Sequence, residues 1–423
     1  MCFASAWHQQ RVVAVLVASM LLTPAIVLSS APPTDRVARW QQDLKFLAEE
    51  LPKKHKNLFA TLPEDEFRQA LASLERDLPQ LSDDDVHVRL MQLAVRVRDA
   101  HTAVAPGNLL SPILPVGLVW LSDGYYATRV DSAYAAILGY KLTAVQGMPI
   151  DQVVERVQSV VPHENDWWLR EQLPNYLIAP KVLKALGIIS ESGKTRLTFM
   201  DAKGQAHEVD VTPKTLPEVT KWSLLFSPTP DQVPLRYQER GKNYWHRWLP
   251  DHRQLYICYR ACVSMPAAPI GPWIQEVIAL LDRERPDSVV IDLRDNTGGA
   301  SALLEPLIRA IGERDWLNHS GRVWVLIGRR TFSSAFMNAM QFKQATKATL
   351  VGEPTGQKPN SFGEVKMLKL PHSSLVVQYS TQYFRRYPQG DPLTFEPDVR
   401  LDPTLDDVRT GRDRALEYTR QRR

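Results

Sequence analysis

Residues 288–299 read Ser-Val-Val-Ile-Asp-Leu-Arg-Asp-Asn-Thr-Gly-Gly, a short apolar run that ends in a polar turn with two glycines. A helical pattern over residues 301–313 follows, so the stretch predicts a strand–turn–helix unit. Glycines there let the backbone approach a ligand closely, and free N–H groups at a helix start favour negative charge. We therefore expect an α/β domain with a turn suited to oxyanion stabilisation. A tight turn without any ligand has the same pattern.

The alternation of strands and helices extends on both sides of this unit. Strand patterns occur at Arg253–Tyr259, Ser288–Leu293, Val323–Ile327 and Ala348–Val351, and helical patterns lie over residues 271–284, 301–313 and 333–346. This order is typical of a layered α/β domain, which we expect over residues 253–423.

Two further stretches of this domain carry candidate chemistry. Thr331-Phe-Ser-Ser-Ala-Phe-Met-Asn338 joins a strand to a helix, and Ser333 there is a candidate nucleophile. A helix N-cap is the commoner role of a serine at such a place. Val351-Gly-Glu-Pro-Thr-Gly-Gln-Lys-Pro-Asn360 follows the next strand and contains Lys358. A lysine acts as a general base only where burial lowers its pKa, and a solvated turn lysine is the alternative.

The chain before residue 253 shows three different patterns. They predict a helical region over residues 32–105, a PDZ-like domain over residues 106–215, and a linker or flap over residues 216–252. The helical region has Trp40, Leu44 and Leu47 at helical spacing. The second region resembles a PDZ domain in the strand–turn–strand pattern of Gly139–Asp151, and it carries a helical insertion near residues 163–188.

The N-terminus has the pattern of a secretory signal peptide. Arg11 precedes the apolar run Val12–Leu22, and small residues follow at Leu28–Ala31. We expect residues 1–31 to be removed and the mature protein to be secreted or periplasmic, with no stable membrane insertion. An N-terminal membrane anchor is the alternative. The cysteines of the mature chain, Cys258 and Cys262, are expected to be packing residues and not metal ligands.

The three stretches of the α/β domain, taken in order, resemble the catalytic domain of the tail-specific, or carboxyl-terminal processing, serine proteases. Asp99-Ala-His-Thr102 upstream and Phe395-Glu-Pro-Asp-Val399 downstream are also similar to recurring stretches of that family. The resemblance implies a crotonase/ClpP-like catalytic core behind the helical region and the PDZ-like domain. It implies an exported serine endopeptidase that hydrolyses polypeptides without a metal or an organic cofactor.

The resemblance also implies roles for individual residues. Ser333 matches the nucleophile of the family, and Lys358 matches its general base. The backbone N–H of Ser334 and that of Gly298 or Gly299 would form the oxyanion hole.

Two departures from the family pattern keep a second base open. Phe336 stands where bacterial members usually carry an acidic residue, and Phe362 stands where they tend to place a glutamine. His101 lies in a stretch that resembles the catalytic-histidine region of the related tricorn proteases. A histidine titrates near neutrality without strong desolvation, so His101 is the alternative base. The sequence does not choose between His101 and Lys358.

The charge and composition of the chain limit the classes of partner that it is expected to bind. The chain of 423 residues has 51 Lys and Arg against 47 Asp and Glu, so a nucleic-acid partner is not expected. The arginine pairs Arg329–Arg330 and Arg385–Arg386 could receive a substrate carboxylate. A non-catalytic protein that binds peptides or apolar ligands on the same fold is the competing function, because fold alone does not fix activity.

Overall fold

The computed structural model describes residues 35–190, 193–229 and 232–421. The predicted signal peptide lies outside the described residues. Within those ranges, no helix has both the length and the apolar character needed to cross a membrane.

The N-terminal region is helical, as predicted. Its helices are α1 (Arg36–Lys54), α2 (Glu64–Asp77) and α3 (Asp83–Val95). The apolar residues of α1 that recur at helical spacing, including Trp40, Leu44 and Leu47, are buried. They belong to one hydrophobic core that extends into the sheet that follows, so the helices and that sheet stabilise each other.

Residues 103–224 form the second part of the structure, in which an antiparallel sheet with helices follows the short strand β1. The strands are β1 (Ala103–Val104), β2 (Val116–Leu121), β3 (Gly124–Asp131), β4 (Lys141–Val145), β5 (Met148–Pro149), β6 (Thr195–Met200), β7 (Ala206–Val211) and β8 (Trp222–Leu224). The helices are α4 (Ile150–Val157), α5 (Asp166–Tyr176) and α6 (Pro180–Ala185). The sheet has the order β2-β3-β4-β6-β7, with β5 beside β4 and β8 beside β3. Helices α5 and α6 are the predicted helical insertion.

The C-terminal part is a six-stranded sheet with helices, as the strand and helix patterns predict. Its strands and those of an adjoining hairpin are β9 (Tyr244–Leu249), β10 (Gln254–Tyr259), β11 (Ser288–Asp292), β12 (Val323–Ile327), β13 (Thr349–Gly352), β14 (Asn360–Lys369), β15 (Val376–Arg385) and β16 (Val399–Arg400). The helices are α7 (Ile270–Glu284), α8 (Glu305–Gly312), α9 (Ser334–Ala345), α10 (Leu405–Thr410) and α11 (Arg414–Gln421).

The order of the large sheet is β16-β13-β12-β11-β10-β9, and every pair is parallel except β9 with β10. Strands β10, β11 and β12 are buried along their whole length, as parallel strands covered on both faces should be. Cys258 and Cys262 are free and buried. Strand β9, at one edge, lies within residues 216–252, where the sequence predicted a linker or flap.

A small third sheet connects the N-terminal and C-terminal parts. Its order is β1-β15-β14, and Ala103 of β1 pairs with Gln378 of β15. The pairing carries the Asp99–Thr102 stretch to the C-terminal domain. Because the carboxyl ends of parallel strands lie at one edge of a sheet, the turns after β11, β12 and β13 meet there too.

Asn165 attaches the helical insertion to the same edge. Its side-chain oxygen accepts the N–H of Trp168 at 2.9 Å, which caps α5. Its amide nitrogen donates to the carbonyls of Leu393 at 2.8 Å and Thr355 at 3.3 Å. The Trp168 ring stacks on Phe332, with 4.1 Å between ring centres. One buried amide therefore holds the start of α5 against the C-terminal domain.

Replacement of Asn165 tests this attachment. Asn165→Ala removes a cap worth about 1 kcal/mol and two further hydrogen bonds of about 1 kcal/mol each, so unfolding free energy should fall by about 2–4 kcal/mol. Asn165→Ser keeps the cap acceptor and should lose less. Urea unfolding of the three proteins measures the order. Equal stability of the alanine and serine variants would show that the cap contributes nothing.

Candidate active site

Ser333 occupies a strained turn between β12 and α9. Its backbone has φ 52° and ψ −125°, and it directly precedes the helix that begins at Ser334. A non-glycine residue in such a conformation costs about 1–3 kcal/mol, and such residues cluster at functional sites. The hydroxyl makes no cap hydrogen bond to the helix. The common N-cap role of a serine is therefore not realised here.

Gly298 packs directly against this turn. A Cβ atom added to Gly298 would lie 2.7 Å from Cβ of Ser333, 3.2 Å from its Oγ and 3.0 Å from the backbone nitrogen of Ser334. Gly298 also has φ 113°, which favours glycine. The absent side chain leaves open the space between the Ser333 hydroxyl and the helix N-terminus.

Hydrogen bonds on both sides of this contact hold the two turns together. The N–H of Phe332 donates to the carbonyl of Asn296 at 3.1 Å. The hydroxyl of Ser334 donates to the carbonyl of Gly299 at 2.6 Å. The structure thus brings together the residues that the sequence singled out in the first two stretches.

The backbone N–H groups near Ser333 differ in availability. That of Gly298 donates to the side-chain oxygen of Asn296 at 2.9 Å. Those of Gly299 and Ser334 have no acceptor within residues 232–421 or the other described ranges. Gly299 is fixed by a parallel bridge to Cys262, whose carbonyl leaves no room for a side chain. Two N–H donors, one of them at the start of α9, therefore remain open to an anion.

His101 lies beside the turn that carries Ser333. Its ring centre is 4.6 Å from that of Phe332, the residue before Ser333. The side chain is buried, and neither ring nitrogen has a hydrogen-bond partner among the described residues. Burial lowers the pKa of His101, and the nearby Asp99 carboxylate and the backbone of Phe362 only partly oppose this. The imidazole is therefore neutral at pH 7 and able to accept a proton.

Asp99 is a buried carboxylate next to His101. It accepts hydrogen bonds from the backbone N–H of His101 at 2.8 Å and the Thr102 hydroxyl at 2.6 Å. Its second oxygen is 3.2 Å from Nε2 of His55. Burial alone would raise the pKa of Asp99, but the contact with His55 and the other donors hold it below its usual value. An Asp99 oxygen is 3.9 Å from Nδ1 of His101, near enough to stabilise an imidazolium.

Lys358 is placed differently. Its Nζ lies 2.6 Å from a carboxylate oxygen of Asp391, and the lysine side chain is one-fifth exposed. Phe362, which stands where the family tends to place a glutamine, contacts the rings of His55 and Tyr383.

Phe336, which stands where the family usually carries an acidic residue, is fully buried and packs edge-on against Phe395. Like Phe362, it is therefore part of the apolar packing and offers Lys358 no polar partner. The polar partner of Lys358 is Asp391 instead.

Gln357 and Glu164 are site residues that the sequence analysis missed. The Gln357 side-chain oxygen accepts the N–H of Ser333 at 3.1 Å, and its nitrogen donates to Glu164 at 3.2 Å. Burial, with the nearby charge of Asp99, raises the pKa of Glu164 well above its usual value. Gln357 precedes Lys358 in the third stretch, so its position in the sequence is a signal that could have identified it. Nothing local marks Glu164, which reaches the site only because Asn165 attaches α5.

The first arginine pair is already occupied by protein carboxylates. Arg329 lies 3.2 Å from Glu353, and Arg330 lies 3.1 Å from Glu171. Neither guanidinium is open to a substrate carboxylate. Across the part of the chain that the structure describes, no cluster of three His, Cys, Asp or Glu side chains is arranged to hold a metal ion.

No protein-family model and no curated protein matches the chain. Among solved structures, mature CPAF complexed with lactacystin has a TM-score of 0.62 and 15% identity, over 90% of this chain and 97% of that chain. Mature CPAF has a TM-score of 0.62 and 17% identity, over 90% and 96%. The photosystem II D1 C-terminal processing protease has a TM-score of 0.37 and 13% identity, over 89% and 98%. The likeness to CPAF spans nearly both whole chains, which confirms the predicted α/β fold class.

Gly298→Ala tests the contact between the two turns. The added methyl group meets Ser333 and forces an unfavourable φ, so unfolding free energy should fall by at least about 1–3 kcal/mol. Gly271→Ala is the matched control, because Gly271 lies in α7 with open space around it, and alanine favours a helix. Denaturant unfolding measures both. Equal stability of the two variants would contradict the described contact.

Proposed function

We propose that this chain is a serine peptidase that hydrolyses polypeptides, with Ser333 as the nucleophile. One observation carries the proposal: Ser333 is held at positive φ at a helix start, without a cap bond, against a glycine. A strained turn between a strand and a helix is how other hydrolases expose a serine nucleophile. The shared fold with CPAF supports the same function.

We propose His101 as the general base. It lies against the residue that precedes Ser333, and burial keeps its imidazole neutral at pH 7. Lys358, the base that the family resemblance implies, is the second candidate. Its Nζ is bound to Asp391, and that bond would have to break before Lys358 could take the serine proton.

The reaction follows from these positions. Ser333 Oγ attacks the scissile carbonyl carbon while His101 takes the hydroxyl proton. The N–H groups of Ser334 and Gly299 stabilise the negative oxygen of the tetrahedral intermediate. His101 then gives the proton to the departing amine, which leaves an acyl-enzyme. Water, deprotonated by His101, attacks the ester carbonyl. The C–Oγ bond then breaks, His101 returns the proton to Ser333 Oγ, and the new carboxyl end is released.

Surrounding residues position this machinery. Gln357, oriented by Glu164, fixes the backbone nitrogen of Ser333 and so the direction of its side chain. Asp99 supplies a negative charge that favours the imidazolium formed during attack. The pattern of residues 1–31 supports export, and we propose that the protein acts in the periplasm or outside the cell. The PDZ-like region is proposed to hold a substrate segment at a sheet edge.

Cleavage of unfolded casein by matched variants tests the assignment. Ser333→Ala and His101→Gln should lower the rate at least about a thousandfold, because nucleophile and base act as a unit. Lys358→Met should keep activity within about tenfold. His246→Gln, a histidine on β9, is the control for histidine replacement. Loss of cleavage in Lys358→Met but not in His101→Gln would make Lys358 the base. A folded wild type that cleaves nothing would favour the non-catalytic binding protein.

The pH dependence of kcat/KM separates the two bases independently. His101 must be deprotonated to act, and burial lowers its pKa from 6.5. Activity should therefore be full at pH 7 and fall only as the pH drops below 6.5. Lysine side chains ordinarily titrate near about 10.4, so a lysine base that is not desolvated would give activity that rises through the alkaline range. A rise above pH 8 that disappears in Lys358→Met would contradict the proposal.

A further inference from the structure

Arg386 places a cation beside the nucleophile helix. It follows β15, and its Nη2 donates to Sδ of Met337 at 3.1 Å. Met337 lies one helical turn after Ser333, to whose carbonyl its own N–H donates. The Arg386 guanidinium carbon also lies 4.1 Å from the ring centre of Phe384. The cation is thus fixed between an aromatic ring and the helix that begins at the nucleophile.

Arg386 is also near the proposed base. Its positive charge is one of the causes that lower the pKa of His101. His101 packs against Phe332 and Arg386 contacts Met337, so the imidazole and the guanidinium contact residues on either side of Ser333. A substrate segment bound at Ser333 and His101 would pass close to this cation.

The guanidinium of Arg386 has no carboxylate partner. No Asp or Glu oxygen lies within 4.0 Å of it in residues 35–190, 193–229 or 232–421. The buried Arg294 differs, because it contacts Asp292 at 2.6 Å and Asp413 at 2.7 Å. Burial lowers the pKa of Arg386 with no carboxylate to oppose it.

An incompletely paired guanidinium in such a place has capacity to bind an anion. A thioether sulfur is a weak acceptor, so Met337 satisfies one of five N–H donors poorly. Partial burial strengthens any charge-assisted hydrogen bond that the guanidinium makes, because water competes less. The planar fork of arginine matches the two oxygens of a carboxylate.

We propose that Arg386 binds a carboxylate of the polypeptide substrate and so makes the enzyme prefer acidic segments. The inference rests on the proposed peptidase function. The carboxylate is an Asp or Glu side chain near the scissile bond or the terminal carboxylate of the chain. Arg386 then determines specificity, and the chemistry stays with Ser333 and His101.

Digestion of a random peptide mixture tests the preference. Mass spectrometry of the products gives the residue frequencies around each cleaved bond. The wild type should enrich Asp and Glu about tenfold or more at one position, and Arg386→Gln should abolish that enrichment while it still cleaves neutral peptides. Arg385→Gln is the matched control, because Arg385 is exposed and donates to the carbonyl of Pro388 at 3.2 Å.

Two versions of the mixture distinguish the sources of the carboxylate. Peptides with a free C-terminus are compared with the same peptides amidated. A side-chain carboxylate predicts the same enrichment in both, whereas a terminal carboxylate predicts cleavage near the chain end that amidation abolishes. Either preference must depend on Arg386. Equal loss of cleavage on all peptides in Arg386→Gln, or loss of the preference in Arg385→Gln, would overturn the inference.

Binding to the Ser333→Ala chain separates this inference from the proposed function. Short fluorescein-labelled peptides that differ only in a central Glu or Gln are titrated by anisotropy, with Arg386 intact or changed to Gln, and the Glu peptide is also used amidated. If the wild type cleaves nothing, an Arg386-dependent preference of about tenfold for either carboxylate still supports the inference. Equal affinities for all of these peptides would overturn it.

Discussion

The close contact between two strand–helix turns is the constraint on which the rest of the site depends. The order of the large sheet places β11 beside β12, so the turns that follow them meet at one edge. Gly298 touches the side chain of Ser333, which leaves no room for a Cβ atom. Hydrogen bonds on both sides keep Ser333 at positive φ. The unfavourable backbone angle of one residue is thus stabilised by its neighbours.

Burial of the site sets the charges of the groups around Ser333. His101 comes from the chain before β1, and Glu164 comes from the chain before α5. Burial lowers the pKa of His101 and raises that of Glu164, so both shifts favour the uncharged form. Asp99 stays charged because it receives several hydrogen bonds. The result is a neutral imidazole close to a fixed negative charge, a suitable arrangement for proton transfer near pH 7.

The sequence predicts the local parts of this arrangement well. The patterns of β10 to β13 and the turn that carries Ser333 follow from short-range periodicity and glycine placement, which depend on residues close in the chain. Tyr244–Leu249 became an edge strand only because β10 was available to pair with it. The position of Glu164 depends on the attachment of α5. Which of His101 and Lys358 can accept a proton depends on the partners that each side chain contacts. Tertiary contacts of this kind leave no local pattern.

Reaction with a fluorophosphonate tests directly whether Ser333 is an activated nucleophile, because this probe modifies only an activated serine hydroxyl. The intact chain is labelled at pH 7, digested and mapped by mass spectrometry. We expect Ser333 to be the one modified residue. Labelling should be absent after heat unfolding and strongly slowed in His101→Gln. Modification of a different serine, or equal labelling of the folded and unfolded chains, would contradict the role of Ser333 as the nucleophile. Ser333 would then lack the activation that its turn and His101 are proposed to supply.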